Sequence, residues 1–350
     1  ITGGTRIPTD AFNGFKSLTE INLPDTITSI GNNAFKDCAL IPSIHMLPNL
    51  KAIGNNAYDG CKAITVFKVP STVQTIGSYA FANCTGLTNV VVPKTLKTLG
   101  SYAFSNCTSL KSATISDGVG NIGNFIFDRC TALEEIKLPY AGTSLESVNK
   151  ADSSLNMVKK LFINGVGEKT YSIYYDGYKH IPNSLKKITI TGGTRIPADA
   201  FNGFKNLTEI NLPDTITSIG YNAFKDCAGL ERISFYGNAP SISSNAFTKV
   251  TATAYYQKDN KTWTSDVKQN YGGNITWNGV ELIKITKQPT NAAAPNGKSL
   301  SVTVTAKGEG LTYKWYYKNK SMAKFVESTS TTSDTYSVDK MTPLRDGRQI

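Results

Sequence analysis

Apolar residues return along most of this chain with one period of 23 residues, in the pattern L-x-x-I-x-L-P-x-x-I-x-x-I-G-x-x-A-F-x-x-C-x-x. The clearest copy holds Leu18, Ile21, Leu23, Pro24, Ile27, Ile30, Gly31, Ala34, Phe35 and Cys38. Leu87 to Cys107 and Leu207 to Cys227 carry the same residue types at the same spacing, and nine copies or near-copies can be counted. L-x-x-I-x-L alternates with period two, which predicts a short parallel strand with Ile and Leu turned inward. The Pro that follows has no N–H for a ladder and ends the strand. After the Gly, A-F predicts a turn or one helical turn that drops its aromatic into the core. A coil of this length cannot cover its own apolar side, so stability comes from stacking on its neighbours.

The expected architecture is therefore a repeat solenoid of right-handed β/α type, its parallel sheet lining a concave face. Strands spaced about 4.8 Å apart make such a face on the order of 40 Å long. The domain reading is an array over residues 1–250, a cap over 251–284 and a different module over 285–350. The cap region loses the period but supplies Tyr255, Trp263, Tyr271 and Trp277 as plugs for the last coil.

Cysteines mark the register: Cys38, Cys61, Cys84, Cys107 and Cys130 stand 23 residues apart, and Cys227 belongs to a later copy. Other copies put Phe15, Phe204 and Val250 at that position. A site that accepts Phe and Val is apolar filler, not a metal ligand or an obligate bridge. Side chains stacked on adjacent coils also lie near the upper limit of Cβ separation for a disulfide. Buried free thiols are expected.

Two features break the period. Leu133 and Leu185 are 52 residues apart, which leaves an irregular insertion over 140–184. It contains Tyr171, Tyr174, Tyr175 and Tyr178, followed by His180. Insertions in repeat arrays map to loops on one face, and Tyr offers large contact area at low entropic cost. The alternative is an inserted hairpin whose tyrosines pack on the sheet. The second feature is an echo: residues 190–228 repeat residues 1–39 except at Ala198, Asn206 and Tyr221. It points to block duplication in a longer parent chain, of which the residues from Ile1 to Ile350 are a segment, and lengthening by blocks suits reach or avidity.

The unit with its I-G-x-x-A-F-x-x-C core resembles the BspA-like, treponemal class of leucine-rich repeats, over about residues 1–250. The resemblance implies an exported, surface-attached protein of a host-associated bacterium, with adhesion to host matrix or microbial proteins as the expected role. It carries no residue-level binding motif. Insertions ending in I-P-x-S-L-K are also similar to ones in that family, which favours the packed-hairpin reading of the tyrosines. From Ile285, short alternating strands, the K-Q-P-T segment and Trp315 resemble an incomplete bacterial immunoglobulin-like sandwich, with Trp315 as core.

Charge and chemistry narrow the function. The net charge is +11, yet the lysines are scattered, and adjacent pairs occur only at Lys159-Lys160 and Lys186-Lys187. No basic run is interleaved with aromatics, so nucleic acid is not expected as a partner. No apolar run approaches the length of a membrane span, so no membrane insertion is expected here. The chain has two His, His45 and His180, and neither G-x-x-x-x-G-K-[ST] nor G-x-S-x-G. No catalytic residue, metal site or cofactor is expected. The outward strand positions are mixed in character. Glu20, Asn22, His45, Lys68 and Val91 are the candidate contacts there, with the four tyrosines beside them. His45 reads more simply as a solvated residue. The leading expectation is a protein partner, with a glycan or a purely structural spacer as alternatives.

Overall fold

The computed structural model describes residues 3–42, 47–141, 158, 161–162, 181–281, 284–287, 300–307, 313, 315–317, 326–327 and 334–338. It divides into one unit of residues 1–255 with 260–278, and a second of 256–259 with 279–350.

In the first unit seven of the expected repeat strands, joined by two strands from the region read as the cap, form a nine-stranded sheet whose order follows the chain, from Val66–Lys68 at one edge to Asn274–Val280 at the other. Between them lie Asn89–Val92, Ser112–Ile115, Glu135–Leu138, Lys187–Ile190, Glu209–Leu212, Arg232–Phe235 and Thr251–Gln257. The stretch over residues 18–23 in the clearest copy is not a strand. From Val66 to Phe235, neighbours pair in parallel, each inward apolar residue facing its counterpart on the next coil. Inward residues such as Val90, Val92, Ile136 and Leu138 are buried, as the alternation requires.

A second set of strands was not foreseen. The two residues before the repeat Gly position, held by Pro8 in the first coil, pair from coil to coil, giving a six-stranded sheet from Arg6–Ile7 to Asn121–Ile122. A three-stranded sheet of Arg195–Ile196, Ser218–Ile219 and Ser241–Ile242 continues the same device. This ladder explains the invariant-looking Gly without any unusual dihedral. A Cβ on Gly54 would lie 2.7 Å from the backbone nitrogen of Asn32, and one on Gly220 would lie 2.6 Å from that of Ala198. The Gly54 N–H meanwhile donates to the Ile30 carbonyl at 2.9 Å. Coils touch backbone to backbone here, and only hydrogen fits.

The A-F segments are turns, so the β/α expectation is corrected. Helical structure among the described residues is confined to the 3₁₀ turn Ser265–Val267 and the single residue Val158. The cause lies in two left-handed positions per coil. One is Asn33, Asn56 and Asn222, the other Asp37, Asn83, Asn106 and Asp226, with φ between 52° and 58°. Two such reversals within five residues prevent helix propagation, and Asn and Asp tolerate them best.

Between the two sheets runs a column of rings. Phe12, Phe35, Tyr58, Phe81 and Phe104 stack with centroids 5.1–5.4 Å apart and planes within 11° of parallel. Phe127 extends the column, and Phe162 follows it at 6.3 Å. Phe162 comes 35 residues after Phe127, yet it takes the next rung, and the Phe127 N–H donates to the Leu161 carbonyl at 3.0 Å. Across the insertion, Glu135–Leu138 and Lys187–Ile190 still pair in register. The extra residues thus leave the main sheet unbroken. Phe201, Phe224 and Phe247 form a second column at 5.1 Å spacing. Beyond it, Trp263 packs 5.0 Å from Phe235 and 5.4 Å from Trp277. Tyr271 stands 6.4 Å from Phe247, and Tyr255 lies beside Arg232.

All six cysteines are buried and free. They are more than filler. Each thiol donates to the carbonyl of the aromatic one coil earlier, as Cys61 to Phe35 at 3.1 Å and Cys227 to Phe201 at 3.0 Å. That carbonyl also accepts its own coil's N–H, from Cys38 to Phe35 at 3.1 Å, so the thiol bond is an addition. Val250 can therefore replace Cys without orphaning an acceptor.

In the second unit, three antiparallel pairs are described: Lys284–Lys287 with Thr305–Lys307, Leu300–Thr303 with Thr335–Val338, and Tyr316–Tyr317 with Val326–Glu327. Val302, Trp315 and Tyr336 form a buried cluster, with the Trp315 and Tyr336 rings 5.9 Å apart.

Burial pushes the Cys38, Cys61, Cys84 and Cys107 thiols above their ordinary value, so thiolate is scarce at neutral pH. We expect a colorimetric thiol reagent to leave the native protein essentially unmodified and to titrate six thiols after denaturation. Rapid labelling of several cysteines in the folded state would contradict the burial. Gly54→Ala should destabilise the array by about 3 kcal/mol in urea unfolding, because the backbone it meets cannot retreat.

Candidate functional site

Parallel register places the outward side chains of the nine-stranded sheet in two straight rows. One runs Val66, Asn89, Ser112, Glu135, Lys187, Glu209, Arg232, and the other Lys68, Val91, Thr114, Lys137, Thr189, Asn211, Ser234. The rows differ from end to end. Val66 and Val91 are 56% and 47% exposed, beside exposed Lys68 and Asn89. At the other end charges alternate and bind one another. Lys187 lies 3.0 Å from Glu209, the Asn211 amide donates to Glu209 at 2.7 Å, and the Arg232 guanidinium sits 3.9 Å over the Tyr255 ring.

Not every outward position is surface. Asn211 is buried, and Ser234 is 1% exposed with no hydrogen-bond partner for its hydroxyl among the described residues. Alternation along a strand says which side a residue faces, not whether that side is open. Lys137 and Arg232 are exposed as charged positions, whereas the exposed apolar positions of the rows, Val66 and Val91, lie together at the end formed by Val66–Lys68 and Asn89–Val92.

Of the residues singled out from sequence, Lys68 and Val91 face each other directly on adjacent strands, with Val66 diagonal to Val91. Glu20 and Asn22 are exposed, and the Asn22 amide points to the Glu20 carboxylate at 3.5 Å. Their stretch is not assigned as strand, so the rows do not extend to them. Their duplicates Glu209 and Asn211 do stand in the rows, where the same pairing tightens. His45, Tyr171, Tyr174, Tyr175 and Tyr178 lie outside the described residues.

One surface feature escaped the sequence reading. Tyr79, Tyr102 and Phe125 occupy, on three consecutive coils, the left-handed position that holds Asn33, Asn56 and Asn222 elsewhere, with φ of 57° to 59°. A bulky residue there costs about 1–2 kcal/mol. Tyr79 and Tyr102 stack at 4.6 Å, and Phe125 follows at 4.9 Å. The 23-residue spacing of these rings, at a position otherwise given to Asn, was the available signal.

Among the described residues no group of three His, Cys, Asp or Glu side chains could hold a metal ion, and no helix is long and apolar enough to cross a membrane. What the geometry defines is a parallel-strand repeat solenoid that displays rows of side chains on a rigid sheet. The chain belongs to the BspA type leucine rich repeat family, whose model matches residues 3–70, 51–161 and 171–265 in six copies.

Solved structures similar to it include a leucine-rich repeat protein from Bacteroides ovatus, 23% identical, spanning 78% of this chain and 87% of that one at a TM-score of 0.39. A leucine rich cell surface protein from Faecalibacterium prausnitzii is 22% identical over 80% of this chain and 86% of its own, with a TM-score of 0.34. The pneumococcal vaccine antigen PcpA is 18% identical over 79% and 71%, with a TM-score of 0.26. No curated protein matches the chain.

Burial, the largest influence on Glu209, would raise its carboxyl pKa, but Asn211, Lys187 and Arg232 together outweigh it and hold the group below its ordinary 4.5. A depressed folded value means its contribution is complete above the ordinary glutamate range and is lost as pH falls through the folded value. We expect Glu209→Gln to flatten part of the stability loss below about pH 4.5, seen in urea midpoints across a pH series. An unchanged acid limb would show that the pairing carries no stability.

Proposed function

We propose that this chain is an extracellular recognition module of a bacterial surface that binds a protein, from host matrix or from another microbe, through the end of its main sheet where apolar side chains are exposed. The observation that carries the reading is the exposed pair Val66 and Val91 beside Lys68, held on strands in fixed register. Apolar side chains exposed on rigid backbone can be buried by a partner with little loss of entropy, and an adjacent cation sets orientation. The rows hold no close pair of free carboxylates and no nucleophile beside a base, which supports binding over catalysis. The second unit, with buried Trp315 beside Val302 and Tyr336, is read as an incomplete immunoglobulin-like sandwich, and residues 251–284 as the cap of the array.

A pull-down against a panel of purified matrix proteins and mucin tests the proposal, with deletion of residues 140–184 as a control for the tyrosine-bearing insertion. Val66→Asp with Val91→Asp should weaken capture by about 2 kcal/mol, roughly thirtyfold, while leaving the thermal midpoint in place. Equal capture by the double variant would move the site off this face. No capture of any panel member by the wild type would leave a spacer role ahead.

A further inference from the structure

We propose that Tyr79, Tyr102 and Phe125 form a second binding site, distinct from the sheet face, that stacks the sugar rings of an uncharged glycan. Core formation does not call for these rings. The inner column already has Phe81, Phe104 and Phe127 in the same three coils, and Tyr79 remains 41% exposed. Backbone preference does not call for them either, since the left-handed position is filled by Asn or Asp in Asp10, Asn33, Asn56, Asp199 and Asn222. Three consecutive departures from the favoured residue, all aromatic, form a continuous strip in which Tyr79 and Tyr102 stack and the Phe125 ring leans 41° against Tyr102.

The strip has a step. The coil before Tyr79 carries Asn56, so the Tyr79 face turned away from Tyr102 has no ring of this series against it. A tyrosine this exposed, with no ring of the series on one side, offers aromatic surface to the apolar face of a pyranose ring. Uncharged hydrogen-bonding groups occupy the same turns. The Asn106 amide donates to Asn83, and the Asn83 amide to Asp59, each at 2.7 Å, with Ser78 and Ser101 beside the rings in sequence. The charges of these turns are already compensated, Asp59 by Lys36 at 3.4 Å and Asp128 by Arg129 at 3.7 Å. Aromatic surface, amides and hydroxyls without net charge suit a neutral, hydroxyl-rich ligand better than an anionic one.

A purely structural role makes a different prediction. Coils with a ring at this position bury the side chain three residues on, Ala82, Ser105 and Asp128, whereas Asp59 after Asn56 is partly exposed. If covering that ridge is the purpose, replacing the rings with Asn lowers stability. If ligand stacking is the purpose, Asn relieves the left-handed strain and the thermal midpoint holds or rises.

Affinity gel electrophoresis in the presence of mannan, β-glucan, galactan or xylan provides the test. The wild type should be retarded by at least one of these polysaccharides. Tyr79→Asn should weaken that retardation about tenfold, Tyr79→Phe should preserve it, and Y79N/Y102N/F125N should abolish it at an unchanged or higher midpoint. The Val66→Asp, Val91→Asp variant should be retarded like wild type, which separates this site from the sheet face. Three results overturn the proposal: no retardation of the wild type by any of the four, equal retardation of the triple variant, or a fall in midpoint with retardation intact in Y79N. Concentration-dependent dimerisation of the wild type that the triple variant loses would assign the strip to a second copy and overturn it as well.

Discussion

The coils of the first unit depend on one constraint, the backbone hydrogen bonding of each coil to the next, at an offset of about 23 residues outside the insertion and preserved in register across it. A single coil has no core and leaves its N–H and C=O groups unpaired, so the neighbouring coil must supply both burial and partners. This constraint sets the residue types. Gly stands where the backbones abut, and Asn or Asp where the chain reverses through the left-handed region. Thr28, Thr88 and Thr217 each donate a hydroxyl to a carbonyl one coil back.

The same offset turns single substitutions into columns. An inward aromatic on one coil meets an aromatic on the next, and rings continue through Phe162 even where the sequence spacing changes. A thiol placed once per coil finds a carbonyl 26 residues earlier each time. On the surface, alternating Glu135, Lys187, Glu209 and Arg232 become a charge row, and three rings in the same register become a strip. Repetition therefore builds both the interior and whatever the exterior offers to a ligand.

The face is not uniform along its length. Where charges pair, Asn211 and Ser234 are buried while Lys187, Glu209 and Arg232 keep partly or fully exposed side chains. Around Val66 and Val91 the face is open and partly apolar. Side chains at equivalent positions of one register thus differ in exposure and polarity along the sheet without altering the fold.

The sequence by itself determined the period, the inward residues, the position of the main strands and the burial of Cys38 to Cys227, because each follows from a side chain's own polarity repeated at one spacing. It did not reveal the short strands before Gly54 or Gly220, since a two-residue pairing leaves no alternation to read. Nor did it reveal the absence of helix after them, which is set by φ at Asn33 and Asp37. Only the tertiary structure decided that Asn211 and Ser234 are closed off while Val91 is open, because accessibility depends on everything packed nearby and not on strand direction. The Tyr79 strip lay between the two cases. Its spacing was visible in the chain, but its stacking, its strained backbone and its exposure exist only once the coils are laid against one another.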